Sequence, residues 1–237
     1  MEVIGIIPAR YESTRFPGKP LADILGKSMI QRVYNQCKKC NHLTRIIVAT
    51  DDDRILNHVI EFGGEAMMTS KSHNSGTDRC NEIVEQLNTN FDIIVNIQGD
   101  EPYINPKQIE EVIALFQNST TQIGTLAKKI ENHSIILDSN NPKVILDKNT
   151  FALNFCRKIT DISAETIYYK HIGIYAFTRS VLNKICKLPQ SNNEKKEKLE
   201  QLRWIDNGYK IKAGITSYES ISVDTPEDII KIKQIMR

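Results

Sequence analysis

VIGIIPARYESTRFPGKPL, residues 3–21, decides how the rest of the chain is read. Val3, Ile4, Gly5, Ile6 and Ile7 form a short apolar run, as expected of a strand buried on both faces of a parallel sheet. The run breaks at Pro8 into a loop bearing Arg10, Arg15 and Lys19, with Gly18 beside the lysine. Loops at the carboxyl ends of strands are where open α/β sheets take their ligands. Arginine offers planar forked donors and lysine a compact charge, so together they suit an anion such as a triphosphate. Two familiar phosphate loops do not fit. Gly18-Lys19 looks like the end of a P-loop, but Ser13 stands where its first glycine belongs and Pro20 where a hydroxyl residue should follow the lysine. No G-x-G-x-x-G run follows the strand either, which argues against a dehydrogenase.

Outward from this loop, strand and helix patterns alternate. Ile46–Ala49 reads as a second buried strand ending in Thr50-Asp51-Asp52-Asp53; residues 66–68 and 92–97 read as further strands. Helices are expected at about 28–40, with Met29, Ile30, Val33 and Cys37 on one face, at 53–62 with Gly63-Gly64 in the C-cap position, and at 77–87. Such alternation predicts an α/β fold with a mostly parallel central sheet. The second half is more mixed. Strands are expected at 125–129, 143–147, 151–155, 168–177, 211–215 and 221–223, and helices at 194–207 and 226–236, the last with Thr225 as N-cap. The polar segments 158–167 and 189–196 read as mobile loops. One compact domain over 1–237 is expected, with about 125–220 as a lobe facing the second substrate.

Thirty-one basic and 29 acidic residues leave a net charge of +2, which makes no polyanion-binding field, so nucleic acid is not an expected partner. No apolar run approaches the roughly 20 residues of a membrane span. Met1-Glu2 opens straight into a strand pattern without a leader, and a cytoplasmic protein is expected. Five scattered cysteines point to reduced thiols; Cys37-x-x-Cys40 has no second pair or histidine cluster to make it a zinc site.

Asn96-Ile97-Gln98-Gly99-Asp100-Glu101-Pro102 follows the strongest strand. An acid there, facing a basic phosphate loop, is what a magnesium–nucleotide site requires, since Mg²⁺ takes one or two carboxylates plus water and phosphate oxygens. Gly99 would let the backbone pass close to a ligand. Asp224, in Val223-Asp224-Thr225-Pro226, reads either as a second metal carboxylate or as an acid favouring a helix start. In His73-Asn74-Ser75-Gly76-Thr77-Asp78-Arg79 the hydroxyls could read a base edge, or Thr77 could cap the helix; Arg79 suits a phosphate or an acidic neighbour. Lys170-His171-Ile172-Gly173-Ile174-Tyr175 puts His171, Gly173 and Tyr175 on one strand face, either a ligand wall or a solvent-facing surface.

Taken together and in order, several of these segments resemble the CMP-Kdo synthetases, cytidylyltransferases that activate 3-deoxy-manno-octulosonate (Kdo), and most closely the capsule-type members. They are IIPARYESTRFPGKPL at 6–21, VATDDDRI at 48–55, SHNSGTDRC at 72–80, VNIQGDEP at 95–102, NPKVILD at 141–147, KHIGIYAF at 170–177, KLEQLR at 198–203 and VDTPED at 223–228. The resemblance implies a Rossmann-like nucleotide-diphospho-sugar transferase fold, CTP and a 2-keto-3-deoxy sugar acid as substrates, Mg²⁺ as cofactor, and a homodimer. It implies that Arg10 and Lys19 hold the CTP phosphates with Arg15 in the same loop, that Ser75 and Arg79 line the cytidine pocket, and that Gln98 sits between nucleotide and sugar. Asp100 and Asp224 would hold the metal. Arg157, His171, Tyr175, Glu200 and Gln201 would face the sugar acid.

The chain departs from the family pattern in two places: Tyr218-Glu219-Ser220-Ile221 stands where a glycine-rich turn usually precedes the VDTP segment, and the sugar-facing lobe differs as well. Phe155-Cys156-Arg157-Lys158-Ile159-Thr160 stands where members carry Phe-Ser-Arg-x-x-Ile-Pro, and Asp161 and Glu165 follow in a shorter loop where a basic residue is common. Acids there would repel an anionic sugar if they pointed inward. This leaves open whether the acceptor is Kdo, its 8-amino analogue or another acid, and a non-catalytic nucleotide-binding relative is the alternative from a different class.

Overall fold

The apolar run that opens the chain forms strand β1 (Val3–Ala9), buried at every position except Pro8. The structure, a computed structural model, describes the chain apart from residues 14, 88, 119, 160–165, 236 and 237 and the side chains at 133 and 235. It divides into two compact units, Met1–Ile109 with Ser220–Arg237, and Glu110–Glu219.

In the first unit a short hairpin, β2 (Asp23–Ile24) and β3 (Lys27–Ser28), leads into α1 (Met29–Cys37). Ser28 caps α1 by accepting from Gln31 N, and Met29, Ile30, Val33 and Cys37 are buried on one face as the spacing predicts. β4 (Arg45–Thr50), α2 (Asp53–Glu61), β5 (Ala66–Met68), α3 (Gly76–Gln86) and β6 (Ile93–Asn96) follow, and α4 (Pro106–Ala114) spans the boundary between the units. The strands pair β6-β1-β4-β5, all parallel, with Ile6 opposite both Ile47 and Asn96. This parallel order sends the loops after β1, β4 and β6 to one edge of the sheet.

The second unit is built on antiparallel pairs. β7 (Ile123–Lys129), α5 (His133–Leu137), β8 (Lys143–Leu146), β9 (Ala152–Cys156), β10 (Tyr169–Thr178), α6 (Arg179–Ile185), α7 (Asn192–Glu197), α8 (Gln201–Asp206) and β11 (Ile211–Ile215) succeed one another. β10 pairs antiparallel with β7 and β8, β8 with β9, and β11 runs parallel to β7. The chain ends in the first unit with α9 (Pro226–Ile235).

Four sequence expectations need correction. The helix over 194–207 is two helices, because Lys198 adopts a left-handed conformation (φ 55°) that ends α7. Most of the expected 189–196 loop is α7, started by a capping box between Ser191 and Glu194. Its buried member is Glu194, paired with buried Arg203, so a search for apolar periodicity finds nothing there. Residues 221–223 form no strand; Val223 instead donates its N–H to the Asp100 carbonyl at 2.9 Å. The fourth is one of detail: Thr225 holds the N-cap position before Pro226 as expected, and the closing bonds there run to Asp228, which accepts from the N–H groups of Asp224 and Thr225 and from the Thr225 hydroxyl. Helices α4, α5 and α6 were not anticipated. The departures at Thr160, Asp161 and Glu165 lie outside the described residues.

Candidate active site

Three loops and the stretch before α9 enclose a cavity of about 270 Å³ in the first unit, lined by Arg10, Arg15 and Lys19, Ser75 and Arg79, Gln98 and Asp100, and Asp224. Two glycines set its backbone. Gly18 has φ +70° and sits against the Tyr11 ring, turning the chain so that Lys19 opens a short 3₁₀ turn. A Cβ at Gly99 would come within 2.7 Å of the Pro8 carbonyl oxygen, so this glycine lets the loop after β6 pass the end of β1. Gly99 also lines the cavity, so the glycine serves a close backbone crossing beside the expected ligand position.

Lys19 joins the two acids. Its Nζ donates to Asp100 Oδ2 at 2.7 Å and to the Val223 carbonyl at 2.9 Å, and lies 3.7 Å from Asp224 Oδ1. Arg15, largely exposed, donates to Asp224 Oδ1 at 3.0 Å. The pairing of Asp100 with Asp224, left open by the sequence, is therefore present. Arg10 lines the same cavity from an exposed position.

Ser75 caps α3, accepting from Asp78 N while Asp78 reaches back to Ser75 N, so the capping residue is Ser75 and not Thr77. Arg79 is buried and committed to the protein: it donates to Asp51 at 2.5 Å, to the Thr69 hydroxyl at 2.7 Å and to the Ser70 carbonyl at 3.1 Å. Of the two readings for Arg79, the acidic neighbour is the observed one. It braces the pocket wall. His73 and Asn74 also line the cavity, and Glu82 holds the His73 ring through Nε2. Sequence reasoning quoted this loop without assigning His73 a role; its adjacency to Ser75 was the available signal.

The expected sugar-acid residues lie in the second unit. His171, Tyr175 and Phe177 share one face of β10, their rings in sequence at 5.3 and 6.0 Å, with Phe155 against His171 and Trp204 against Tyr175. The face is buried, which excludes a solvent-facing strand. A register shift between Ile172 and Tyr175 marks a bulge, a device that re-aims side chains. His171 Nε2 lies 3.0 Å from the Thr125 hydroxyl, and burial pushes the imidazole pKa down to about 3, so it is neutral. Burial, reinforced by the charge of Glu200, holds the Tyr175 hydroxyl protonated far above its usual range. Tyr175 Oη and Gln201 Nε2 are both buried with no hydrogen-bond partner among the described residues. Arg157 directs its guanidinium to the carbonyls of Glu197 at 3.0 Å and Ser139 at 3.3 Å, tying the end of β9 to α7. Trp204, the only tryptophan, was missed because α8 shows no motif beyond KLEQLR.

A basic loop after β1 that closes on one carboxylate after β6 and a second before α9 is the arrangement of a nucleotide-handling α/β protein. A family model described as cytidylyltransferase matches residues 4–211. The 3-deoxy-manno-octulosonate cytidylyltransferase of Parabacteroides distasonis is 52% identical over 98% of this chain and 96% of its own length. The 8-amino-3,8-dideoxy-manno-octulosonate cytidylyltransferase of Shewanella baltica is 46% identical over 99% and 98%. Among solved structures, a CMP:2-keto-3-deoxy-manno-octonic acid synthetase complexed with CTP superposes with a TM-score of 0.93 at 37% identity, covering 100% of this chain and 98% of that one. The chain belongs to the CMP-Kdo synthetase family of cytidylyltransferases.

Proposed function

We propose that this chain transfers the cytidylyl group of CTP to Kdo, giving CMP-Kdo and pyrophosphate. The observation that carries the reading is the Lys19 contact with both Asp100 and Asp224, inside a cavity that Arg10, Arg15, Ser75 and Gln98 also line. In the reaction the anomeric oxygen of the sugar acid attacks the α-phosphorus; one P–O bond forms, the bond to pyrophosphate breaks, and the proton of the attacking hydroxyl is lost to solvent. Such transfers depend on positioning and charge neutralisation more than on covalent chemistry. Arg10 and Lys19 would take the charge that develops on the pyrophosphate, with Arg15 beside them. Gln98 would lie between the nucleotide and the incoming acid.

Asp100 and Asp224 supply the hard oxygen donors that Mg²⁺ prefers, and both face the same ammonium, at 2.7 and 3.7 Å. Mg²⁺ bound there would neutralise phosphate charge and lower the pKa of the attacking hydroxyl. In the second unit, the unpartnered Tyr175 hydroxyl and Gln201 amide support a polar acceptor there, with His171 neutral and Glu200 beside them. A homodimer and a cytoplasmic site belong to the same reading. None of the five cysteines is in a disulfide, which suits a reducing compartment, and among the described residues no helix is long and apolar enough to cross a membrane.

Pyrophosphate release from CTP and Mg²⁺ tests the reading, with Kdo and 8-amino-Kdo as separate acceptors. Release with Kdo is expected. Turnover of the 8-amino acid alone would move the specificity, and CTP binding without turnover of either would make the chain a non-catalytic binder.

A further inference from the structure

The ammonium of Lys19 lies between the two carboxylates that the proposed function assigns to a divalent cation. It reaches Asp100 Oδ2 at 2.7 Å and Asp224 Oδ1 at 3.7 Å, and the Val223 carbonyl fixes it from a third side at 2.9 Å. Its side chain is only 17% exposed, so water weakens these contacts less than it does those of Arg15, which is 66% exposed. Without a cation between them the two acids would repel each other, and the lysine removes that cost. The same contacts stand in the way of a metal ion. A divalent cation arriving alone must displace the ammonium from both carboxylates and then sit beside a positive charge with nowhere better to go.

We propose that Lys19 is a built-in countercation that closes the Asp100–Asp224 pair to divalent ions until a nucleoside triphosphate enters. This rests on the reading of the two aspartates as metal carboxylates. Phosphate oxygens in a cavity also lined by Arg10 and Arg15 give the ammonium an acceptor of equal charge. Its departure frees the carboxylates, so metal and nucleotide bind as a linked pair, each raising the affinity of the other by the same factor. One lysine thereby serves two states. It neutralises the acids when the cavity holds no nucleotide and the phosphates when it does.

The test is Mn²⁺ binding to the full chain in the absence of nucleotide, followed by the loss of the free-ion electron paramagnetic resonance signal. Lys19→Met and Lys19→Gln are both used; the second keeps a donor for the Val223 carbonyl, and thermal melts confirm that the variants are folded. Both are expected to bind Mn²⁺ about tenfold or more tightly than the unaltered protein, within the usual range of coupling between sites. Arg10→Met removes the same charge from the same loop and is expected to shift the affinity far less. Equal affinity in the unaltered protein and the Lys19 variants would overturn the proposal. So would an equal gain in Arg10→Met, which would reveal only the general field of the loop. In the Lys19→Met background, Asp100→Asn should abolish the gain; binding that survives it would show that the ion sits elsewhere, and the metal reading itself would fall.

Discussion

The two units treat polar groups in opposite ways. In the first, Asp100 and Asp224 stay partly open to water and are held by cations from a loop; in the second, Tyr175, packed against Trp204, and Gln201 are buried with a polar atom each left unpartnered among the described residues. An exposed ion costs little when water and a neighbouring charge both compensate it. A buried hydroxyl or amide without a partner costs about 1–3 kcal/mol, which a ligand can return on binding. On the proposed reading, the Asp100–Asp224 cluster would handle charge, and Tyr175 and Gln201 would discriminate an acceptor by the partners that it supplies.

Four substitutions can break or sharpen this contrast. The largest expected effect is on stability, at the buried ion pair of the second unit. Arg203→Met leaves the buried Glu194 charge without its cation, removing the bonds at 2.8 and 2.6 Å while those from Ser191 N and Gln190 Nε2 remain, and should cost about 3–5 kcal/mol in urea unfolding. A loss under about 1 kcal/mol, the range of exposed pairs, would show that this pair is hydrated after all. Asp100→Asn should leave the fold intact and reduce turnover by about 10²–10³-fold, the scale of one preorganised electrostatic contact. A loss below about tenfold would remove Asp100 from its metal role.

Tyr175→Phe distinguishes the units most directly. Stability without substrate should stay the same or rise, since the orphaned hydroxyl goes, while KM for the sugar acid climbs by about tenfold and CTP affinity is unchanged. A matched loss of CTP affinity would contradict the division of labour. The smallest effect concerns His171, whose pKa is pushed down to about 3 by burial, against about 6.5 when unfolded. Between those values the unfolded chain binds the extra proton. The contribution is therefore fully present above pH 6.5 and declines as the pH falls toward 3. Melting curves of His171→Asn, each normalised to its own value at pH 8, should fall less steeply across this window.

The legible parts of the molecule were those in which chemistry and local structure coincide. β1, β4 and β6 are continuous apolar runs, and Arg10, Arg15, Lys19, Gln98 and Asp100 follow them directly, so charge after a buried strand was enough to find the cleft. α7 was read largely as a loop because its anchoring residue is an acid whose compensating arginine lies nine positions away in α8. For Arg79 the phosphate and the acidic neighbour stayed equally open, because nothing local reveals that Asp51, 28 residues earlier, reaches it.

The sequence by itself determined the α/β class, the basic loop and, through its motifs, the family. Short-range patterning suffices for these, because a strand's burial and the chemistry of the loop after it are written within a few adjacent residues. Only the tertiary structure decided that Asp224 meets Asp100 through Lys19, that Arg79 is spent on Asp51, and that the β10 face bearing His171 and Tyr175 is buried. Each depends on groups distant in the chain becoming neighbours. Whether a charge is paired or a hydroxyl stranded is a property of that neighbourhood, which no single segment carries.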